Sequence, residues 1–286
     1  MTSRTKPALV ALVLVGFASG ASGAETAPDV EEVLARAVEK ARANEEAAKE
    51  QKYGYRFVIR TETMGKSGEV ESVEERVYEA VLIEGLVYER LVAIDGRALE
   101  GDELEAEKKR EASFRKKVAS GDAGPATGKA RRGDSEDRVT FDDELVSRYV
   151  MRFLETRNLD GRACHALSFV PKKGPLPADG RFDELLNNAA GTLCIDVETS
   201  EVAHLGFELQ KKVSFWWGVL GSVSEMKGEL ERRPVAPGVW LPRSFELYLN
   251  GRKLLRTMHV HESFLWHDYR TTSARSGGPV VVRARD

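Results

Sequence analysis

Two cysteines, three histidines near the C-terminus and one dense aromatic run are the residues of this sequence whose types and spacing could do chemistry. Cys164 and Cys194 are its only cysteines. In an oxidising compartment an isolated pair raises the question of a disulfide. Leu167, Phe169, Leu193 and Ile195 mark the apolar faces of the surrounding segments, which assigns both sulfurs to the opposite, polar face. A cross-strand bond is then open to them, provided the register brings the Cα atoms within about 7 Å. His165 adjoins Cys164, but neighbours on a strand point to opposite faces, which argues against a thiol–imidazole pair. His259 and His261 share one face of a later strand, and His267 has their parity. A His-x-His pair can begin a zinc site. Glu262 points the other way and nothing supplies a third ligand, so no metal is expected.

The run VSFWWGVL crowds Phe215, Trp216, Trp217, Val219 and Leu220 around Gly218. No period of two buries all of them on one face, so some belong at a rim, where an indole presents an apolar body and a hydrogen-bonding edge. The run reads either as the mouth of a ligand cavity or a membrane or partner contact, or as a bulge tucked under a helix. Covalent catalysis has little to work with. There is no G-x-S-x-G elbow, and Gly128-Lys129-Ala130 lacks both the Ser or Thr and the first glycine of a phosphate-binding loop. No catalytic residue and no cofactor is expected.

The elements that must position these residues are mostly strands. Residues 28–51 place Val30, Val33, Leu34, Ala37, Val38 and Ala41 at helical spacing, with Asp29 as a cap. From Tyr53 the period becomes two and a first strand begins; a second runs through Glu74 to Leu82, and after a Glu84-Gly85 turn a third carries Leu86 to Ile94 before Asp95-Gly96. Residues 101–118 are dense in Glu and Lys and read as a solvated surface helix. Residues 119–138 are too rich in Gly, Ser and charge to bury a core and read as a flexible insert. Seven further strands run from Tyr149 to Trp266, punctuated by Asp160-Gly161, Ala236-Pro237-Gly238 and Asn250-Gly251, with a short helix carrying Phe182, Leu185, Leu186 and Ala189. The fold class is mainly β (α+β): a curved antiparallel sheet forming a half-open barrel covered by helices.

Composition narrows the setting. Arg4 and Lys6, an apolar run from Ala8 to Ala18 and small residues up to Ala24 form a signal peptide over residues 1–24. Removing its two positive charges takes the formal net charge from −3 to −5, without a basic stripe, so nucleic acid is not an expected partner. One domain is expected over residues 25–270, with a loosely ordered tail at 271–286.

Two stretches carry a family resemblance. Gly191-Thr192-Leu193-Cys194-Ile195-Asp196 with Thr199 and Val202, and Gly238-Val239-Trp240-Leu241-Pro242 with Phe245, look like strand-and-turn signatures of the LolA/LolB-like periplasmic lipoprotein carriers. The layout from Val30 to Tyr269 resembles the outer-membrane lipoprotein-sorting proteins of that fold. The chain departs from them in its charged helix and insert at 101–138 and in Cys194, where an aromatic is expected. The resemblance implies a periplasmic protein whose half-barrel holds acyl chains of a lipid or lipoprotein, with an envelope protein partner and peripheral membrane contact as further expectations. Phe207 and Leu209 on one strand, and Phe245 and Leu247 on another, present clean apolar faces that suit either such a cavity or a packed core. Together with the Phe215–Leu220 run they are the expected ligand-binding residues. The alternative is an envelope interaction or sensor module with a filled core.

Overall fold

The computed structural model describes residues 27–47, 52–65, 67–121, 139–178, 182–215, 221–253 and 256–271. The expected signal peptide, residues 122–138 of the insert expected at 119–138, the tail beyond Thr271 and Trp216, Trp217, Val219 and Leu220 lie outside these residues, as does the side chain of Phe215; Ala119 instead ends a helix that Ser120 caps.

Helix α1 spans Val30–Glu46, and Asp29 caps it by accepting a hydrogen bond from the Glu31 amide at 2.9 Å. Its buried positions, Val33, Leu34, Ala37 and Val38, follow the helical apolar stripe. The first meander is β1 (Tyr53–Met64), β2 (Val70–Ile83), β3 (Leu86–Ile94) and the short β4 (Arg97–Ala98). Its turns put Glu84, Gly85, Asp95 and Gly96 at positive φ, which is why Glu-Gly and Asp-Gly stand there. Helix α2 (Gly101–Ala119) and the short α3 (Asp143–Ser147) precede β5 (Tyr149–Leu159) and β6 (Arg162–Pro171). After α4 (Asp183–Leu186) come β7 (Ala189–Asp196), β8 (Val202–Leu209), β9 (Val213–Phe215), β10 (Gly221–Ala236), β11 (Val239–Lys253) and β12 (Arg256–Thr271).

All twelve strands belong to one open antiparallel sheet in the order β4-β3-β2-β1-β12-β11-β10-β8-β7-β6-β5, with β9 beside β10. The C-terminal β12 returns to pair with β1, so the first meander and the later strands form a continuous surface. Helix α1 packs on one face of the β5–β8 half, where Val33, Leu34 and Ala37 meet Tyr149, Leu167, Phe169, Leu193 and Ile195. A second cluster on the same face, built on Phe57, Ile59 and Tyr78, occupies the β1–β2 half. Among the described residues no helix is long and apolar enough to cross a membrane.

Three sequence expectations change. Helix α2 is not merely solvated: Phe114 and Glu107 are buried, the Phe114 ring lies 5.0 Å from that of Tyr88, and Tyr88 donates to Glu107 at 2.8 Å. Its contacts, Val81, Ile83 and Tyr88, alternate with Tyr78 and Ala80, so α2 covers the sheet face opposite to α1. Asn250-Gly251 is not a turn, because β11 runs through it and Gly251 pairs with Met258. A glycine stands there because the bulged β10 backbone comes close: a Cβ at 251 would collide with the Ser222 carbonyl and lie 3.3 Å from the Val223 Cα. Ala189 begins β7 instead of closing the short helix.

Candidate functional site

Register carries one apolar line across the α1 face. Leu167 pairs with Leu193, Leu193 with Leu205, Leu205 with Leu230, Leu230 with Phe245, Phe245 with Phe264 and Phe264 with Ile59. Directly opposed residues share a face, so seven strands present one unbroken row. Its ends are closed: Leu167, Leu193 and Ile59 are 0%, 2% and 5% exposed, under α1 on one side and within the aromatic cluster on the other. Its middle, Leu205, Leu230, Phe245 and Phe264, is only half-buried. Half-buried Met226, Leu247, Leu249 and Val260 flank it on the same face. Leu205 packs against the α1 cluster and Phe264 against the aromatic one, so the strip of apolar floor with solvent access centres on Leu230 and Phe245, within the ~14 Å from β8 to β12 that the ~4.8 Å strand spacing sets.

Of the expected ligand-binding residues, the structure brings Phe207, Phe245 and Leu247 to this strip, and Leu209 lies on the same face opposite Ala189. Phe207 lies in the adjoining row, flanked by Gly191 and Gly228. A Cβ on Gly228 would collide with the Phe207 ring, 2.3 Å from its Cζ and 2.4 Å from its Cε1, so that glycine is the seat on which the ring lies. Phe245 and Phe264 are 5.6 Å apart, and the chain of rings continues through Trp266 and Phe57 to Tyr78 at 5.9, 6.0 and 4.8 Å. Leu230 and Phe264 escaped the sequence reading. The signal for them was alternation inside charged strands, Gly228-x-Leu230 and Phe264-x-Trp266.

The anchoring of α1 is polar. Glu201, 2% exposed, accepts from Asn44 at 2.7 Å and from Arg232 at 3.2 Å, tying the end of α1 to β10. Nearby, Asp196 is 1% exposed and accepts from Arg162 Nε at 2.6 Å and from the Thr199 amide and hydroxyl at 2.8 and 2.7 Å. Burial alone would raise this carboxyl, but the bonds from Arg162 and Thr199 outweigh it and hold the Asp196 carboxyl below its ordinary range. Tyr149 donates to the Leu186 carbonyl at 2.7 Å, and burial pushes its phenol up to about 12.

The opposite face has a different character. Cys164 and Cys194 are joined in a disulfide with Cα atoms 5.6 Å apart. They are 1% and 0% exposed, packed with Ala166 and Leu159, so this end of the second face is buried where alternation implied a polar surface. The reason is curvature at that end. Arg243 of β11 reaches Asp160 at 2.9 Å and Arg162 lies 5.5 Å from the Trp240 ring, so the β10–β11 hairpin folds over β6. Farther along, a groove of about 700 Å³ is lined by Ser168, Thr192, His204, Lys227, Glu229 and Glu246 among others. His204 meets Glu229 at 2.8 Å, and His261 meets Glu246 at 2.8 Å and Glu62 at 3.4 Å. Hydrogen bonds from Arg60 and His261 hold the Glu62 carboxyl below its ordinary value. His259 engages Tyr248 and His267 engages Asp268, so the three histidines take separate partners. Among the described residues no group of three or more His, Cys, Asp or Glu side chains is arranged to hold a metal ion.

No protein-family model and no curated protein matches the sequence. Among solved structures the chain is similar to an outer membrane lipoprotein-sorting protein domain from Vibrio parahaemolyticus, at 10% identity and a TM-score of 0.38 over 85% of this chain and 95% of that one. It is similar to a DUF1329 family protein from Desulfovibrio piger at 13% identity and a TM-score of 0.34, over 85% and 95% of the two chains. A LolA superfamily protein from Nitrosomonas europaea aligns at 11% identity and a TM-score of 0.30, over 87% and 96%. These likenesses assign no ligand, partner or activity to this chain.

Proposed function

We propose that this chain is an exported periplasmic protein that binds acyl chains of a lipid or lipoprotein on the α1 face, without covalent chemistry, and carries them between envelope surfaces. The observation that supports this reading is the continuous apolar row whose ends are packed and whose middle is half-buried. A filled core would bury Leu230 and Phe245 as completely as Leu167. A hydrocarbon chain laid across them would remove that remaining apolar area from water. At about 0.8 kcal/mol per buried methylene, ten methylenes give a gross gain of ~8 kcal/mol, from which ordering costs are subtracted. Binding of this size is reversible, so a membrane or a partner offering a competing apolar surface can take the cargo.

The test is native mass spectrometry with lipid extraction on protein isolated from the periplasm, together with titration of a fluorescent fatty acid. Lipid adducts and saturable binding that is lost in Leu230→Asp, with folding retained by circular dichroism, are expected. Reproducible absence of lipid and of fatty-acid binding would overturn the reading in favour of an envelope interaction module.

A further inference from the structure

One acidic residue borders the apolar strip. Glu262 lies between Leu247 of β11 and Thr61 of β1, on the same face as Phe264 and Val260 two residues to either side. It is half-buried, and among the described residues it has neither a hydrogen bond nor an ion pair. The neighbouring cation on this face, Arg76, is engaged by Glu74 at 2.7 Å. The Glu262 carboxylate therefore stands where the apolar floor meets polar surface, with Leu247 on one side and Thr61 on the other, placed to receive a cationic group at the end of the floor. The row that contains it, Phe207, Gly228, Leu247, Glu262 and Thr61, turns from apolar to polar at this residue.

We propose that Glu262 selects the ligand: the strip takes an amphiphile whose apolar tail lies over Leu230 and Phe245 and whose protonated amine sits on the Glu262 carboxylate. This rests on the α1 face being the binding surface. The ammonium donates to the carboxylate in an environment drier than bulk water, where charge-assisted hydrogen bonds gain strength. A fatty carboxylate of the same length meets a like charge at the same place. The two chains gain equally from hydrocarbon burial, so the head group alone separates them.

Displacement of a bound uncharged fluorescent lipid by dodecylammonium and by dodecanoate tests this on the full mature chain. Dodecylammonium is expected to compete about tenfold better, equivalent to about 1.4 kcal/mol. Glu262→Gln, which keeps the side-chain shape, is expected to bring the two within about twofold, and Glu262→Lys to invert the order. Equal competition by both amphiphiles, unchanged in Glu262→Gln, would overturn the selector while leaving the binding face in place. Failure of both to compete, when the uncharged lipid also fails to bind, would overturn selector and face together.

Discussion

Replacing Asp196 by Asn keeps the side-chain volume and removes the charge from a nearly dry site, so its cost can be worked from the contacts. Asp196 accepts from Arg162 through both carboxylate oxygens, at 2.6 and 2.8 Å, and from Thr199 twice. In the variant an amide N–H₂ replaces one oxygen and confronts the guanidinium, donor against donor. Breaking a buried ion pair from one side costs about 3–5 kcal/mol. Arg162 is 30% exposed and keeps Glu198 at 2.9 Å, which relieves part of its loss and puts the expectation near the low end, about 3 kcal/mol. Urea denaturation at pH 7 measures the difference directly. Its pH dependence carries a sign. The folded carboxyl titrates below its unfolded value of about 3.9, so the stabilisation is complete above that pH and is lost as the pH falls toward the folded value. The wild-type advantage should be flat from pH 7 to about 5 and shrink below about 4. A loss under about 1 kcal/mol at pH 7, or an advantage that persists unchanged to pH 3, would show that the Asp196 charge does not carry this stability.

Other features make similar demands. Gly228→Val drives side-chain atoms into the Phe207 ring and should cost about 1–3 kcal/mol while weakening fatty-acid binding, read by thermal melting and titration. Phe114→Ala should cost about 3 kcal/mol and expose α2 to limited proteolysis, since the ring is 8% exposed against Tyr88. Replacing both Cys164 and Cys194 by Ala should lower stability by about 3–4 kcal/mol for a link spanning 30 residues, and a reducing agent should then have no further effect.

Much of the architecture is legible in the sequence, because local rules and the tertiary solution agree. The apolar stripe and Asp29 cap fix α1, and β3 and β6 begin and end where alternation and the flanking turn residues place them. Asn250-Gly251 misleads because a glycine needed for close backbone approach has the same signature as a turn glycine. The burial of Phe114 and Glu107 is hidden by the charge of their helix, since one aromatic and one hydrogen-bonded carboxylate suffice to dock it. The apolar row is half legible: each strand shows its own alternation, but the pairing of Leu205, Leu230, Phe245 and Phe264 depends on long-range register, which sequence spacing does not contain. Glu262 is harder still, since an acidic residue in an alternating strand reads as solvent-facing until its face is known.

That face assignment is open to direct measurement. A fatty acid carrying a photoreactive diazirine on its chain, cross-linked to the protein and mapped residue by residue with tandem mass spectrometry, distinguishes the two surfaces because they alternate along the same strands. Labels on Leu230, Phe245 and Phe264 are predicted, with Glu229, Glu246 and Ser263 left unmodified. Labelling confined to the Glu229, Glu246 and Ser263 side, or spread evenly over both, would contradict the account.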